Sequence, residues 1–250
     1  MAIGAPGAAL TERHRLAQIG LRAALVRDLV SLWPLFDPAD LDTFARFSGV
    51  ASGLIAARHR DSATIAQAYY ARFREAEAVL SVPPPPPRPP RPPVREQIAI
   101  SLRATGLVGA IAGVAAGFSY AAAKQNAFAA VAGAAGRLAL DGGRQAILDM
   151  GTRDPRAMGW QRVTAGDPCA FCAMLASRGV MREASGADFE AHDHCACSAE
   201  PVFEGSAPPP ASARFRERWD EVTRGLSGDD ARNAFRRSLD ADRRAATASH

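Results

Sequence analysis

The sequence predicts a predominantly α-helical α+β protein, made of helical arms and a small α+β module. Two observations predict this class. Apolar residues recur at the three- and four-residue spacing of helices through much of the chain. All four cysteines, with two of the five histidines, lie in two short stretches, DPCAFCAMLASRG (167–179) and HDHCACSAEPVF (192–203). At 250 residues and 48% apolar composition, the chain is long enough to bury a core.

The charge composition argues against a dedicated DNA-binding domain. Thirty basic side chains, of which Lys124 is the single lysine, face 26 acidic ones, and the net charge is +4. No segment has the dense basic surface of such domains. The N-terminus has neither a charged start nor a long apolar run, so we expect no secretory signal and a reducing compartment. Cysteines seldom form disulfides there.

Residues 1–81 are predicted to form an N-terminal helical region. A first amphipathic helix is expected over 10–33, ended by Trp33-Pro34. Asp37-Pro38 has the residue types of a helix start, and a further helix is expected over about 61–80. The apolar face of the first helix is predicted to contain Leu16, Ile19, Ala23, Val26 and Val30.

Residues 82–94, VPPPPPRPPRPPV, are predicted to be a polyproline linker. Proline fixes φ and has no amide hydrogen, so this segment should form an extended polyproline II helix, about 40 Å long at ~3.1 Å per residue. It resembles a ligand of SH3 domains. Because nothing in the sequence identifies a partner domain, we interpret it as a stiff spacer.

Residues 95–150 form a predicted small-residue helical region. The run 104–123 has no charged residue, and Gly109, Gly113 and Gly117 follow at four-residue intervals. Such a run can be a transmembrane helix or a helix whose glycine face lets neighbouring helices approach closely. Alanine and glycine gain little from entering lipid, which favours packing. The helix should continue to residue 150, with a break near Gly142-Gly143.

Residues 151–204 contain the predicted module. Asp167-Pro168 predicts a helix start and Gly179 its end, so Cys169 and Cys172 should lie on one face of the first turn. This position favours the thiolate form that binds metals. The apolar residues expected to pack around the site are Trp160, Phe171, Leu175, Val202 and Phe203.

The second stretch supplies Cys195 and Cys197, whose alternate spacing would place both on one side of a strand, and His192 and His194 just before them. With the first cysteine pair, six donors are available for the four positions of a tetrahedral ion. Two ligand pairs separated by a loop are typical of structural zinc, so a zinc-stabilised α+β module is the leading hypothesis. A redox C-x-x-C pair would need a βαβ context that the sequence does not show, and it would leave the second pair unexplained.

A catalytic zinc site is the weaker interpretation. Pro168 and the C-x-x-C after it match half of the nucleotide-deaminase signature, but no upstream histidine begins the H-x-E half. The acidic residues close enough to act as a base are Glu190 and Asp193. We therefore expect a protein that is not an enzyme.

Residues 205–250 are predicted to be a linker, SAPPPAS (206–212), and a charged C-terminal tail. From residue 214 onward arginines alternate with acidic residues, which predicts a solvated segment that is helical in part.

The module resembles the phage Mu F-like minor head proteins, in the form found in actinobacterial phages and prophages. The stretch WQRVTAGDPCAFCAMLASRG (160–179), followed by H-x-H-C-x-C-x-x-x-P-V-F, is similar to the family pattern of C-x2-C, P-H-x-x-C-x-C and a closing P-V. The stretches 96–106 and 153–160 also resemble this group, and Ala191 stands where the family often has proline. The residues that match the pattern are Cys169, Cys172, His192, Cys195, Cys197 and Pro201-Val202.

The resemblance implies a structural component of the phage head near the portal, with a part in head assembly, DNA packaging or genome ejection. It implies portal or other head proteins as partners in an oligomeric context, with genomic DNA as a further possible contact. The expected location is the virion head, and the host cytoplasm during assembly. The alternative hypothesis is a membrane-active protein that inserts residues 104–123, and the third is a zinc-dependent enzyme acting on nucleic acid.

Overall fold

The computed structural model describes residues 5–77, 83–89, 94–164, 166–181, 188–205 and 209–248, and it confirms the mainly helical α+β class. A 3-10 turn, Trp33–Leu35, follows the first helix, and a π-helical segment, Arg103–Val108, joins α3 to α4. The elements in chain order are α1 (Ala5–Leu32), α2 (Thr43–Ala76), α3 (Arg95–Leu102), α4 (Gly109–Ala115), α5 (Tyr120–Arg153), β1 (Ala157–Val163), α6 (Ala170–Ser177), β2 (Ser198–Phe203), α7 (Pro210–Val222) and α8 (Gly228–Ala248).

The helical body is built around the two longest helices, α2 and α5, each 34 residues long. Residues of the predicted regions 1–81 and 95–150 share one apolar core, in which Trp33, Phe36 and Phe47 pack against α3 and α5. A second apolar cluster joins the ends of α2 and α5 to Trp160 and Phe203 of the strands. The module therefore rests directly on the helical body.

The first helix forms as predicted, but its buried face is different. Leu16 and Val30, expected in the core, are each 53% exposed. The buried face contains polar side chains, of which Thr11 bonds to Tyr69 and to Glu200 of β2, and His14 stacks on the Tyr69 ring at 4.3 Å. Its C-terminal half buries Leu25 and Leu29 completely. The prediction missed the N-terminal half of this face because its residues are polar and find their partners only in the tertiary structure.

Helix α2 begins later than Asp37-Pro38 predicts. The Asp37 carboxylate accepts a hydrogen bond from the Ala39 amide at 2.9 Å and forms a local turn, and the helix starts at Thr43. It then continues without interruption through the region of the separately predicted helix at 61–80, and it ends at Ala76. Residues 78–80 of that prediction lie outside the described residues.

The uncharged run 104–123 is not one helix. The chain turns at Gly117, whose φ of +89° favours glycine, and α5 begins at Tyr120. A Cβ on Gly106 would lie 2.7 Å from the Phe44 ring, and one on Gly113 would lie 2.9 Å from Ala123 Cβ. Two glycines of α3–α4 therefore allow close packing inside this chain.

The predicted break at Gly142-Gly143 is also wrong, because α5 runs through both residues. A Cβ on Gly142 would lie 2.1 Å from the carbonyl oxygen of His59 in α2. The Gly143 amide donates a hydrogen bond to Ser62 Oγ at 2.9 Å. These glycines mark the close contact of α2 and α5 instead of a helix end.

The described part of the polyproline segment, residues 83–89, is bound to the helical body. Gln67 of α2 donates a hydrogen bond to the Arg88 carbonyl at 2.6 Å, and Arg153 of α5 donates to the Pro86 carbonyl at 2.8 Å. Residues 82 and 90–93 of the predicted linker lie outside the described residues. The segment is therefore held on α2 and α5, which a free spacer would not be.

The module contains an antiparallel pair of strands, in which Trp160 of β1 lies opposite Pro201 of β2. The backbone of Trp160 bonds to Met181 on its other side. After β2, the helices α7 and α8 form a hairpin against α6, with the Trp219 and Phe235 rings 5.2 Å apart and Phe235 1% exposed. The prediction of a solvated tail was wrong for this inner face of the hairpin.

Candidate metal centre

The fold brings the two cysteine stretches together at the start of α6. His192 Nε2 lies 2.9 Å from Cys169 Sγ and 3.4 Å from Cys172 Sγ, and Cys195 Sγ lies 3.6 Å from Cys172 Sγ. Two groups of donors result, each with its ligand atoms within 4.8 Å of one another: Cys169, Cys172 and His192, and Cys172, Cys195 and Cys197. All five residues of the proposed ligand set thus lie in one cluster, with Cys172 common to both groups.

The first cysteine pair is arranged by the start of α6. Helix α6 begins at Ala170, so Cys169 is the N-cap instead of the predicted Asp167, and its sulfur accepts a hydrogen bond from the Cys172 amide at 3.4 Å. Gly179 ends this segment with a φ of +75°, as predicted. Cys169 is exposed and Cys172 is buried, so the cluster reaches the surface on the Cys169 side.

The imidazole of His192 is oriented by a backbone carbonyl. Its Nδ1 bonds to the carbonyl oxygen of Asp193, which can only accept, so Nδ1 is the donor of this hydrogen bond. Nε2, which carries the lone pair in the neutral ring, faces the sulfurs of Cys169 and Cys172. A backbone carbonyl that orients the ring in this way is usual for metal-binding histidines.

His194, the second imidazole that the sequence offers, points elsewhere. Its amide donates to the carbonyl oxygen of Gly133 in α5 at 3.3 Å, and its ring occupies the space where a Gly133 side chain would be. Its φ of +67° reflects the tight turn that brings the chain back toward Cys195. The structure therefore brings His192, and not His194, to the cysteines.

The second cysteine pair lies in the loop before β2 instead of in the strand itself, which begins at Ser198. Hydrogen bonds with Cys172 and Cys197 lower the pKa of the Cys195 thiol, helped by the positive charge of Arg144. The same contact with Cys195 raises the pKa of Cys172. A divalent cation between the two sulfurs would favour the thiolate on both.

The distances suit a tetrahedral ion better than a disulfide. The 3.6 Å between the sulfurs of Cys172 and Cys195 greatly exceeds a disulfide bond of about 2.05 Å. It is close to the roughly 3.8 Å that two zinc–sulfur bonds of about 2.3 Å give at the tetrahedral angle. The 3.4 Å between Cys172 Sγ and His192 Nε2 is close to the roughly 3.5 Å of one sulfur and one nitrogen ligand, whereas the 2.9 Å between Cys169 Sγ and His192 Nε2 is shorter than that. The cluster can therefore hold a metal ion.

The predicted burial is confirmed for four of the five neighbours. Trp160, Leu175, Val202 and Phe203 are at most 9% exposed, but Trp160 and Phe203 belong to the apolar cluster at the ends of α2 and α5 instead of the cluster of buried cysteines. Phe171 is 39% exposed, and its ring lies 5.8 Å from the His192 imidazole, beside the cluster and open to solvent.

Sequence reasoning missed two arginines of α5 that hold the loop of the second pair. Arg137 binds the Asp193 carboxylate at 2.8 Å, and Arg144 donates to the carbonyl oxygens of Cys195 and Cys197 at 3.0 Å each. Both arginines lie some fifty residues before the loop, in a helix that the sequence marks only by its small residues. Nothing in the local pattern relates them to the cysteines.

Comparison with known families gives one match. The model of the VG15 protein family matches residues 7–222, which include nearly all of the helical body, both cysteine stretches and the whole of α7. No curated protein and no solved structure gives a significant match.

Proposed function

The chain belongs to the VG15 family of viral proteins, and from this we propose that it is a structural minor head protein of a tailed phage or prophage, acting near the portal in head assembly, DNA packaging or genome ejection. The family match carries the viral assignment. The more specific role is supported by the resemblance of the cysteine–histidine pattern to Mu F-like minor head proteins. We place the protein in the virion head, with portal or other head proteins as its partners.

We further propose that the module is held together by a structural zinc ion. The observation that carries this proposal is the position of His192 Nε2, which faces two sulfurs, with a third sulfur at tetrahedral distance from one of them. Bound there, a zinc ion would link α6 to the loop before β2. These two elements belong to a module of few residues, whose own apolar core is small.

Metal analysis of the purified chain tests this proposal. We expect close to one zinc per chain, and a lower thermal midpoint after the ion is removed by a chelator. Cys172 belongs to both groups of donors and would be a ligand in every arrangement, and the other three ligands would come from Cys169, His192, Cys195 and Cys197. Single variants Cys169→Ser, His192→Ala, Cys195→Ser and Cys197→Ser identify them, since the variant of a ligand should lose zinc and the variant of the residue left over should keep it. A fully folded chain that contains no metal and binds none on addition would refute the proposal.

The same geometry supports a role without catalysis. Four protein ligands close the coordination sphere of zinc and leave no position for a reactive water. Of the two acidic residues that could act as a base, Asp193 is paired with Arg137 at 2.8 Å. We expect the double variant Glu190→Gln, Asp193→Asn to bind metal fully. We expect no hydrolytic activity in this variant or in the unchanged chain. Zinc-dependent cleavage of nucleic acid by the unchanged chain alone would contradict this expectation.

The proposed place in the particle has a direct test. Mass spectrometry of purified phage heads should find the chain in few copies relative to the major capsid protein, and crosslinking should join it to the portal. If the chain is abundant in infected or induced cells and absent from purified heads, the structural role is wrong.

A membrane-active protein is the second candidate, because one observation favours it. The continuous helix Arg95–Ala115 is long and apolar enough to cross a membrane, and only 22% of its most apolar window is buried. Its glycines are used for packing against α2 and α5, which supports the helix remaining in the folded body. Flotation with liposomes separates the two, since an inserted helix would carry the chain into the lipid fraction.

A further inference from the structure

We propose that Arg144 is a positioning residue of the metal centre, which holds the second cysteine pair in place from helix α5. The inference depends on the metal site proposed above. Arg144 lies outside the cysteine–histidine pattern. The inference is that helix α5, and not the ion alone, sets the conformation of the loop that contains Cys195 and Cys197.

The contacts of Arg144 are directed at the loop that contains the ligands. The side chain is 3% exposed, its Nε donates to the Cys197 carbonyl at 3.0 Å, and one terminal nitrogen donates to the Cys195 carbonyl at 3.0 Å. The other terminal nitrogen binds the Asp141 carboxylate at 2.6 Å, which fixes the guanidinium itself. The planar guanidinium group thus spans two carbonyl oxygens two residues apart, which a lysine ammonium cannot do in the same geometry.

Arg144 also contacts the chain that leads to His192. Its guanidinium carbon lies 5.0 Å from the centre of the Phe189 ring, and that of Arg162 in β1 lies 3.8 Å from it. Arg162 in addition donates to the Glu190 carbonyl at 2.6 Å. The segment 189–197 is therefore held at its start by both arginines and at its end by Arg144.

Charge gives a second reason for an arginine at this place. A zinc ion with three thiolates and one imidazole has a net negative charge, and two of those sulfurs, on Cys172 and Cys195, are buried. A buried charge is costly without a partner of opposite sign. The guanidinium of Arg144 places a positive charge next to the backbone of Cys195, and its partner Asp141 offsets part of that charge.

The test uses the zinc-loaded full-length chain and two variants, Arg144→Lys and Arg144→Gln. Arg153→Lys is the matched control, because Arg153 lies on the same helix and contacts only Asp149 and the Pro86 carbonyl among the described residues. Equilibrium competition with a chromophoric chelator measures zinc affinity, and cobalt substitution reports the ligand geometry by its absorption. Loss of a residue that orients metal ligands typically weakens binding about 10–100-fold, and we expect this for both Arg144 variants, with the larger loss in Arg144→Gln.

The cobalt spectrum distinguishes positioning from a general effect on folding. A positioning role predicts shifted or weakened thiolate-to-cobalt bands in the Arg144 variants and an unchanged spectrum in the control. Zinc affinity and cobalt bands equal to those of the unchanged chain would overturn the inference, even if the variants are less stable to urea. If Arg144→Gln does not fold, Arg144→Lys decides the question. An unchanged chain that binds neither zinc nor cobalt would refute the metal site, and with it this inference.

Discussion

Replacement of His14 by phenylalanine should remove an acid-sensitive weakness of the fold. His14 is 4% exposed, its ring stacks on Tyr69, and its Nδ1 has no hydrogen-bond partner among the described residues. Burial lowers the pKa of His14 from 6.5 to about 4. Below pH 6.5 the unfolded chain therefore binds a proton at this position that the folded chain does not bind, so stability is complete above pH 6.5 and is lost as the pH falls toward 4.

The size of the effect follows from the two pKa values. Between pH 7.5 and pH 5, the free energy of unfolding should fall by about 2 kcal/mol through His14 alone. Phenylalanine keeps an aromatic ring on Tyr69 and cannot be protonated. Over that pH range, the free energy of unfolding of His14→Phe should therefore fall by about 2 kcal/mol less than that of the unchanged chain. Urea unfolding followed by circular dichroism at both pH values measures the difference, in which the titration of other groups cancels. An equal loss in both proteins would show that His14 is not buried as a neutral ring.

Three further predictions concern packing and the apolar helix. Asp154→Ala should lower the free energy of unfolding, measured in urea, by about 3–5 kcal/mol. The reason is that the buried guanidinium of Arg74, which lies 2.6 Å from the Asp154 carboxylate, loses this ion pair. A decrease below 1 kcal/mol would contradict the prediction. Gly142→Ala should lower the free energy of unfolding by about 1–3 kcal/mol, because the added Cβ meets the backbone of α2. The control Gly49→Ala adds a Cβ with nothing within 4 Å and should raise the free energy of unfolding by roughly 0.5–1 kcal/mol. Equal effects of the two variants would refute the close contact of α2 and α5. The folded chain should stay in the soluble fraction when mixed with liposomes, and flotation would instead favour insertion of Arg95–Ala115.

The metal site shows what can and cannot be predicted from ligand spacing. Spacing identifies donors, because zinc ligands occur in short pairs that one turn or loop can present to an ion. It does not identify which imidazole points inward. His192 and His194 are two residues apart and chemically equal, and the choice between them depends on the turn at Asp193 and on the docking of His194 against Gly133.

The helix boundaries show the same limit. Glycine in a helical pattern predicts a break when only local propensity is considered, and Gly142-Gly143 was interpreted in this way. In the fold these glycines are kept inside α5 because α2 lies too close for a side chain. The break occurs instead at Gly117, where the left-handed backbone favours glycine. Composition is alike at both places, and the neighbouring helix decides between them.

The sequence by itself determined the helical class, the presence of a cysteine–histidine module and the residues that can donate to a metal, because periodicity and ligand spacing are local properties of the chain. The tertiary structure alone decided that polar residues of α1 face the interior, that the C-terminal hairpin packs on α6, and that Arg137 and Arg144 hold the second cysteine pair. These features depend on contacts between residues far apart in the chain. Their free energy comes from burial and hydrogen bonds that form only when the elements meet, so no local pattern records them.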